Sequence, residues 1–432
     1  MMPPVDKAID PFCDAIQQMV SRGRTHPVRA RAWERFVSRG WPNKKSEPFT
    51  YVPLRHLYAL DYRMAEPSSM DRHAIEQYIL AECKNSVLVF IDGNFSEELS
   101  SLPYSVTTVS LGDAEKGSYA SFIQRRNQQR LDQEEDPFVL LTLSMDQQGV
   151  FVFVPPHLEL KAPIQCLFIS TTAQAASFPK IQVAIGAHST VSWISTSAYL
   201  GDIASVFSSS VIDVALDESS KFQHTVSIDS PKGSWEFYAM RASLKKNSRL
   251  DCKNLVTGGK NSRQDYRITL LGEGADAIVT GLSWLDHDQQ AHAHVIVDHQ
   301  APSCTSNQFF KGVLSGVSRS SFTGKILVRQ QAQKTQAYQL NNNLLLTEGT
   351  IVNSKPGLEI LADDVKASHG ATVSQLDEDQ LFYLKTRGLS HAVATQMLVL
   401  GFCKDVVDKI GCDDLQKEIL LSIKKYVKQH NI

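Results

Sequence analysis

The chain of 432 residues is 42% hydrophobic and carries 44 Lys plus Arg residues against 46 Asp plus Glu residues. A formal net charge of −2 argues against a protein that works mainly by coating nucleic acid or an anionic membrane. The length gives an expectation of two or three domains that bury their own cores without disulfide bonds.

The N-terminal residues include Asp6 and Asp10 and lack the apolar segment of a secretory signal. The longest apolar runs, such as Val87–Ile91, have the length of strands and not of membrane-spanning helices. We therefore expect a cytoplasmic protein.

The seven cysteines are scattered and form no C-x-x-C pair, which argues against a zinc ribbon and a disulfide framework. Three of them, Cys166, Cys252 and Cys304, lie in strand-like sequence and are interpreted as small buried hydrophobic residues.

Residues 1–136 are predicted to form an N-terminal, mainly helical domain. Apolar side chains at helical spacing predict a helix over Val28–Arg39 that stops at Gly40. The following segment, Asn43–Leu54, contains two prolines and several aromatic residues, which favour an extended chain docked on another element.

A second helix is predicted over Asp71–Lys84, followed by a strand over Val87–Ile91 and a turn at Asp92. Residues 114–136 are rich in Gln, Arg, Glu and Asp, which predicts a solvated helix and linker.

Residues 137–373 are predicted to form a β core, because short runs of Val, Ile, Phe and Thr alternate with Gly, Asp, Ser and Asn. A polar corner recurs between two apolar residues. Its occurrences begin at Ile185, Leu216, Leu244, Leu271, Leu314 and Leu346, at intervals of 31, 28, 27, 43 and 32 residues. Stacked coils explain this pattern, because neighbouring coils bury what one coil alone cannot. A β-solenoid is favoured over a β-sandwich or barrel, whose turns usually lie closer together.

Residues 374–432 are predicted to form a C-terminal helical domain. Asp377 is predicted to cap a first helix, Ser390 a second, and a third is expected over Asp413–Lys428. The apolar side of the second helix is predicted to consist of Val393, Met397, Leu400, Val407 and Ile410.

Four consecutive apolar residues, Leu381 to Leu384, lie in the first of these helices. A single core face cannot bury all four. Either a second helix covers the other side, or the helix presents a docking surface.

Motifs of common enzymes are missing from the sequence. It contains no G-x-x-x-x-G-K-[ST] phosphate loop, no G-x-S-x-G elbow and no H-E-x-x-H helix. A nucleotide hydrolase of the phosphate-loop type is therefore not expected.

Histidines are the remaining candidates for chemistry. Four of them, together with three aspartates, lie within residues 286–299; they are His287, His292, His294 and His299. On a strand, His292 and His294 would face the same way, as a metal site requires, but without a nearby thiolate a polar solvent-facing stripe or corner is favoured.

Two further polar groups lie near the end of the β region. His369 precedes Gly370 at a predicted strand end, where a structural or merely exposed histidine is favoured from the pattern alone. The run Asn341, Asn342 and Asn343 is interpreted as turn asparagines that hydrogen-bond between neighbouring coils.

Two segments carry a resemblance to a known family. The run from Asn341 to Phe402, which includes SKPGLEI and KASHGATV, resembles the C-terminal hallmark of the SufB/SufD family of iron–sulfur cluster scaffold proteins. The segment GWPNKKSEPFTYVPL, Gly40 to Leu54, is similar to the N-terminal stretch of the SufD branch, and Ala332 to Thr335 extends the similarity into the core.

Within this family the residues favour SufD over SufB. SufB has a cysteine used in cluster building six residues before a turn proline, and here Thr350 stands six residues before Pro356. Gly370 follows His369 as in SufD, where SufB has a glutamate. Ala367 stands where SufD proteins often have cysteine, so no thiol is present at that position.

The resemblance implies a right-handed parallel β-helix, which is a β-solenoid, flanked by N-terminal α/β and C-terminal helical domains. It implies a non-enzymatic subunit of the SufB, SufC and SufD iron–sulfur cluster assembly complex. The chain would form a heterodimer with SufB through the end of the β-helix and dock the SufC ATPase on its C-terminal helices. Neither nucleic acid nor a membrane is expected as a partner.

The resemblance also assigns residues. His369 corresponds to the SufD histidine that assists nascent cluster formation at the SufB interface, which makes it an expected transient metal ligand. The SufC-docking helix and turn correspond to Asp379, Gln380, Phe382, Tyr383, Arg387 and Gly388. No cofactor is expected to stay bound to this chain alone, and an iron–sulfur cluster would form transiently in the complex.

Two other functions are open at this point. A β-solenoid can be a carbohydrate-active enzyme, although no carboxylate constellation stands out, or a plain interaction scaffold without a metal role. Unpaired coil edges would also favour a homodimer when SufB is missing.

Overall fold

The computed structural model describes residues 11–21, 26–65 and 70–417, together with 420, 421 and 424. The α-helices are α1 (Pro11–Ser21), α2 (Pro27–Arg39), α3 (Leu54–Tyr58), α4 (Arg72–Ile75), α5 (Leu111–Ala114), α6 (Ala120–Gln133), α7 (Pro137–Ser144), α8 (Glu378–Thr386) and α9 (His391–Val407). Within these described ranges, every helix is too short or too polar to cross a lipid bilayer.

The strands occupy most of the chain between residues 87 and 374. They are β1 (Arg63–Met64), β2 (Val87–Ile91), β3 (Asn94–Ser101), β4 (Thr107–Ser110), β5 (Val150–Val154), β6 (Ile164–Ser170), β7 (Ala175–Ser177), β8 (Lys180–Ile185), β9 (Thr190–Tyr199), β10 (Phe207–Leu216), β11 (Lys221–Ile228), β12 (Trp235–Leu244), β13 (Arg249–Val256), β14 (Asn261–Leu270), β15 (Asp276–Leu285), β16 (Gln290–His299), β17 (Thr305–Leu314), β18 (Arg319–Val328), β19 (Thr335–Leu345), β20 (Ile351–Ile360) and β21 (Val365–Ser374).

These strands form two sheets whose strands alternate along the chain. The first sheet has the order β20-β18-β16-β14-β12-β10-β8-β5-β4, and the second has the order β21-β19-β17-β15-β13-β11-β9-β6-β2-β3. β5 pairs in parallel with β8 and β6 with β9, and from β8 onward each strand pairs in parallel with the strand two positions later, so every coil contributes one strand to each sheet. The predicted β-solenoid is confirmed, and the sandwich or barrel alternative is wrong.

In-register stacking builds the core of the solenoid. The residues at one position of successive coils in the first sheet are all buried and apolar: Val214, Ala242, Ile268, Val297 and Ile326. One coil cannot shield such a residue from water, but the coils above and below it do. The solenoid is therefore stabilised mainly by contacts between neighbouring coils.

The predicted polar corners are confirmed, and the structure explains their irregular interval. The corners that begin at residues 185, 216, 244 and 271 lead from the first sheet to the second. Those at residues 314 and 346 lead from the second sheet back to the first. The interval of 43 residues therefore spans about one and a half coils and not one long coil.

The N-terminal part is partly as predicted. The helix expected over Val28–Arg39 is α2, and the predicted strand is β2, which a turn at Asp92 and Gly93 joins to β3. The single helix predicted over Asp71–Lys84 is wrong, because α4 is followed by two separate 3₁₀ turns. Gln165 explains the break: its amide oxygen accepts a hydrogen bond from Leu80 N at 2.8 Å, a group that a continuous helix would pair internally.

Residues 137–144 form a helix, α7, where strands were predicted. Asp136 caps it, since its carboxylate accepts hydrogen bonds from Phe138 N at 2.9 Å and Val139 N at 3.3 Å. The apolar residues of α7 are buried nearly all round between the N-terminal helices and the first sheet. A helix buried on all sides has no amphipathic period, which is why its sequence resembles that of a strand.

The prediction of a solvated linker over residues 114–136 is also wrong at its end. Glu134 and Asp136 are buried and bind arginines on the outer face of the first sheet. Glu134 Oε2 lies 2.7 Å from Arg241 Nε, and Asp136 Oδ2 lies 2.7 Å from Arg263 Nη2. Asp265 Oδ1 lies 2.6 Å from Arg241 Nη1.

This ion network holds its carboxylates in the charged form. Burial by itself would raise the pKa of Glu134, but Arg241 and Arg267 lower it to about 2. The same balance sets the pKa of Asp265 well below its usual range, through Arg241, Arg263 and Arg267. The network ties the N-terminal segments to β12 and β14, strands of two successive coils of the solenoid.

The C-terminal helices begin at the predicted caps. Asp377 accepts a hydrogen bond from Gln380 N at 3.0 Å, and Ser390 accepts one from Val393 N at 3.4 Å. Helical residues at 413–417 begin the predicted third helix, and part of that helix lies outside the described residues.

The predicted apolar side of α9 is only partly correct. Val393 and Met397 are exposed, and Leu400 is half-buried. The residues that face the solenoid are Ala394, Val399, Cys403, Val406 and Val407. They pack, with Ile410, on outward-facing residues of the second sheet such as Leu255 and Trp284. Because α9 is apolar on more than one side, the sequence did not reveal which side the sheet covers.

Glu134→Gln is expected to lower the stability of the protein by about 3 kcal/mol, because it leaves Arg241 buried without one of its counter-charges. The thermal midpoint of the full chain should fall by roughly 3–4 °C. Glu135→Gln is the matched control, since the neighbouring Glu135 is exposed and its pairing contributes little. Equal midpoints for the two variants would contradict a structural role of the network.

Acidification below pH 6.5 is expected to destabilise the fold through buried histidines. Burial lowers the pKa of His224 to about 3 and that of His292 to about 3. Both are neutral when folded, but in the unfolded chain they take up a proton near their ordinary pKa of about 6.5. The contribution of these two histidines to the free energy of unfolding is thus complete above a pH of about 6.5. It is lost as the pH falls, by up to about 1.4 kcal/mol per pH unit for each histidine.

The measurement is the thermal midpoint between pH 7.5 and pH 5. In this window Glu134 contributes little to the pH dependence of the thermal midpoint, because its contribution to stability is lost only below its ordinary pKa of about 4.5. His292→Asn should flatten the pH dependence, whereas His73→Asn, at an exposed position, should not. An unchanged slope in His292→Asn would show that this histidine is not buried neutral.

Candidate functional site

The last coil of the solenoid is open. In the described part of the chain, its strands β20 and β21 are the edges of the two sheets, and each pairs only with the strand of the preceding coil. Most residues of β21 are exposed. At the other end, β4 pairs antiparallel with β5, and the β2–β3 hairpin extends the second sheet.

His369 lies on β21, directly in register with Gln339 of the preceding coil. Strand alternation places both on the face that looks into the coil, the face on which Ala367 packs against the preceding coils. Gln339 is buried, and its amide nitrogen donates a hydrogen bond to Gln308 Oε1 at 2.7 Å. The interior thus contains a polar column that runs from Gln308 through Gln339 to the exposed His369.

Two details show that this column is tightly built. A Cβ atom at Gly324 would lie 2.2 Å from Gln339 Nε2, so glycine makes room for the amide. Gln339 Oε1 is buried and has no hydrogen-bond partner among the described residues. An acceptor without a donor therefore lies at the level next to His369.

An outer groove of about 1030 Å³ borders the same strand, between the second sheet and α9. Tyr338 and Leu340 line it as exposed apolar side chains on either side of Gln339. Lys409 Nζ lies 5.0 Å from the ring centroid of Phe309 on the opposite side. The groove and the open coil together form one continuous exposed region around His369.

Cysteine thiols do not contribute to this region. All seven cysteines are buried, which confirms the prediction for Cys166, Cys252 and Cys304. Burial raises the pKa of Cys83 to about 12, and it also raises those of Cys166 and Cys304. Burial raises the pKa values of Cys252, Cys403 and Cys412 as well.

Thr350 lies at the corner just before β20, where the resemblance placed the cysteine of SufB. Its hydroxyl donates a hydrogen bond to Thr347 O at 2.8 Å. Across the described ranges of the chain, no group of three or more His, Cys, Asp or Glu residues is arranged to hold a metal ion.

The histidine cluster is not the solvent-facing stripe that was favoured. Only His287 is exposed, at a corner beside Asp286, whereas His292, His294 and His299 are buried. Their ring nitrogens are engaged by neighbouring side chains: His292 with Ser321 at 2.8 Å, His294 with Asp265 at 2.6 Å and His299 with Ser306 at 2.8 Å. His292 and His294 do share a face, as predicted, but the N-terminal segments cover it.

The asparagine run lies inside β19 and not in a turn, so that part of the prediction is wrong. Its role between coils is confirmed. Asn342 Oδ1 accepts a hydrogen bond from Thr372 of β21 at 2.9 Å, and Asn343 Nδ2 donates one to the Thr372 carbonyl at 3.4 Å. These bonds hold β21, and with it His369, on the preceding coil.

Helix α8 presents an apolar surface. Phe382 is 67% exposed and Tyr383 is 55% exposed, while Leu381 and Leu384 are half-buried. Val393 and Met397 of α9 add to the exposed apolar area. Among the described residues, no second helix covers Phe382 and Tyr383, so the aromatic part of the LFYL run is exposed.

The turn after α8 supports the same surface. The Arg387 guanidinium lies 5.1 Å from the ring centroid of Tyr383, and Gly388 has a φ of 87°, a conformation that favours glycine. Asp379 and Gln380 are exposed in the first turn of α8. The six residues matched to the docking helix and turn therefore lie on one exposed helix and the turn that ends it.

Sequence reasoning missed Gln308 and Gln339, and it misplaced Val393 and Met397 in a buried side. The glutamines could have been found, since Gln339, Asn341 and Asn343 occupy the same alternate positions as buried Ala337 in β19. Polar residues at every second position of an otherwise buried strand mark a polar interior.

Comparison with known proteins agrees with this architecture. Residues 168–402 match the family profile described as "SUF system FeS cluster assembly, SufBD core domain", and residues 13–166 match "SufBD protein N-terminal region". The first match covers the coils from β8 onward, α8 and most of α9, and so includes the open end and the exposed helix surface.

Similar full-length relatives include an iron–sulfur cluster assembly SufBD family protein of Synechocystis, which is 30% identical over 87% of this chain and 85% of the relative. The iron–sulfur cluster assembly protein SufD of Escherichia coli is 28% identical over 92% of each chain. Protein ABCI7 of Arabidopsis thaliana, described as chloroplastic, is 26% identical over 88% of this chain and 82% of the relative. Together with the profile matches, these similarities show that the chain belongs to the SufBD family of iron–sulfur cluster assembly proteins and is a homologue of SufD.

Proposed function

We propose that the chain is the SufD-type subunit of a cluster assembly complex, which pairs with SufB through its last coil and docks the SufC ATPase on α8. The single observation that carries this proposal is the open last coil with His369 on its outermost strand. The cytoplasm is the proposed compartment.

The open coil supports pairing with another β-helix. The edges of β20 and β21 present backbone groups and exposed apolar side chains, among them Ile351, Ile360 and Val373. A second coil of the same width would satisfy both edges at once. The isolated chain would form a homodimer through the same edges when SufB is missing.

His369 would act as a transient iron ligand at that junction. A neutral imidazole nitrogen can replace a thiolate on one iron of a cluster, and thiolates are the common ligands of the others. Since the thiols of this chain are buried, the thiolate would come from the SufB side. A hydrogen bond from the other ring nitrogen to Gln339 Oε1 would fix the ring orientation, as partners of ligating histidines commonly do.

Helix α8 would transmit the work of SufC. Exposed Phe382 and Tyr383 are suited to anchor a partner, because aromatic side chains dominate binding energies at such interfaces. The helix is joined to β21 by three residues, Gln375, Leu376 and Asp377, so displacement of α8 would pull directly on the strand that carries His369. In this scheme the chain itself catalyses no reaction and retains no cofactor.

His369→Ala is expected to lower cluster yield several-fold when the full chain is reconstituted anaerobically with SufB and SufC, because one ligand of the nascent cluster is lost. Iron and sulfide content per complex is the measurement. His73→Ala, at an exposed position far along the sequence, is the matched control. His369→Cys should restore part of the yield, since a thiolate can take over the ligand position.

An unchanged yield in His369→Ala would leave the chain as a plain scaffold without a metal role. A low yield in both His369→Ala and His369→Cys, with normal complex assembly, would assign His369 a structural role instead. Size-exclusion chromatography of each complex separates loss of assembly from loss of cluster.

Phe382→Ala combined with Tyr383→Ala is expected to weaken SufC binding by about 1,000-fold, because each exposed aromatic anchor contributes roughly 2 kcal/mol. Co-purification of SufC with the full chain is the measurement. Tyr104→Ala, which removes a fully exposed tyrosine elsewhere, is the control. Retained SufC binding in the double variant would overturn the assignment of α8.

A further inference from the structure

A cavity of about 410 Å³ lies on the N-terminal side of the solenoid, away from the last coil. It is enclosed by the start of α2, the segment from α5 to α6, residues 146–149 and strand β8. This volume falls in the range of small-molecule sites. Its charged and amide-bearing walls include Arg29, Glu115, Arg130, Asp146, Lys180 and Gln182.

Most ionic groups of the cavity are already paired. Arg29 contacts Asp146, and Arg130 contacts Asp213 behind it. His26 Nε2 lies 2.8 Å from Glu115 Oε2. These pairs give the cavity a fixed polar wall.

Lys180 is the buried exception among the described residues. Its residue is only 8% exposed, yet among the described residues its ammonium has a single hydrogen-bond partner, the carbonyl oxygen of Met145 at 2.7 Å. An ammonium has three donors, so two remain for the cavity. Burial lowers the pKa of Lys180 to about 7, with Arg29 acting in the same direction and Asp146 and Glu115 opposing.

Gln182, two residues further along β8, provides a second unsatisfied group. Its amide nitrogen donates to Asn127 Oδ1 at 2.5 Å, which fixes the side chain. Its amide oxygen is buried without a hydrogen-bond partner among the residues that the structure describes. Because residues i and i+2 of a strand share a face, Lys180 and Gln182 look into the same space.

Among the described residues, the cavity therefore combines a buried amine that no carboxylate contacts directly with a buried acceptor that lacks a donor. Both defects cost free energy in the empty protein, and one ligand with both complementary groups would remove them. We propose that this cavity binds a small organic oxyanion, a carboxylate or a phosphate, whose charge faces Lys180 and whose hydroxyl group donates to Gln182. The site lies in the N-terminal half of the fold and is separate from His369 and α8.

Isothermal titration calorimetry of the full chain tests this proposal with a matched series: glycerol 3-phosphate, glycerate and glycerol. Glycerol 3-phosphate, glycerate or both should bind, and glycerol, which lacks the charge, should not. Binding of only one anion identifies the site as specific for phosphate or for carboxylate. Methyl phosphate, which lacks the hydroxyl groups, should bind more weakly than glycerol 3-phosphate. Absence of binding by both anions would overturn the proposal.

Lys180→Met removes the ammonium and keeps the length of the side chain. It should weaken binding of the anion by about 10- to 100-fold, the effect expected for loss of a charge-assisted hydrogen bond. Lys246→Met, which removes one positive charge from an exposed corner, should bind like the unmodified protein. Equal affinity of the Lys180→Met protein and the unmodified protein would overturn the proposal.

Chemical footprinting of the unmodified protein gives a test that does not depend on folding of the variant. The extent of acetylation of Lys180 by acetic anhydride is measured by mass spectrometry, with Lys246 as the internal reference. Saturating glycerol 3-phosphate or glycerate should protect Lys180 and leave Lys246 unchanged. Equal acetylation of Lys180 with and without either anion would overturn the proposal.

Discussion

The whole structure depends on in-register parallel stacking, in which each coil is covered by the next. A column such as Val214, Ala242, Ile268, Val297 and Ile326 is dry only because every member has a neighbour above and below. Such a stack has two ends, and each end must be covered by something else. The N-terminal strands cover the first end, and among the described residues the last coil is left open, which gives the protein its principal surface for assembly.

The outer faces of the two sheets are covered through different kinds of interaction. On the first sheet, buried arginines of β12 and β14 bind carboxylates of the segment before α7, so the contact is ionic and specific in position. On the second sheet, α9 packs through apolar side chains. The ionic contact fixes where the N-terminal region sits, whereas the apolar contact uses one side of α9 and leaves α8 with its aromatic residues in solvent.

The distribution of reactive groups makes the proposed cluster chemistry depend on a second protein. Its thiols are buried, and three of its four clustered histidines, His292, His294 and His299, are buried and hydrogen-bonded within the fold. His369 is placed differently, at the exposed end of a polar interior column. A lone imidazole cannot hold a cluster, so the proposed chemistry requires ligands from a second protein, in keeping with membership of a family that assembles clusters.

The sequence by itself determined the coil architecture, because polar corners between apolar positions repeat wherever a chain turns from one sheet to the other. It also determined the family, through the segments from Asn341 to Phe402 and Gly40 to Leu54, and the caps Asp377 and Ser390, whose signals are local. Only the tertiary structure decided burial. Glu134 and Asp136 resemble a solvated linker until Arg241 and Arg263 are brought to them from more than a hundred residues away. Likewise, α7 resembles a strand, and the side of α9 that faces the sheet is ambiguous, because a segment that is apolar on several sides carries no period to show which side is covered.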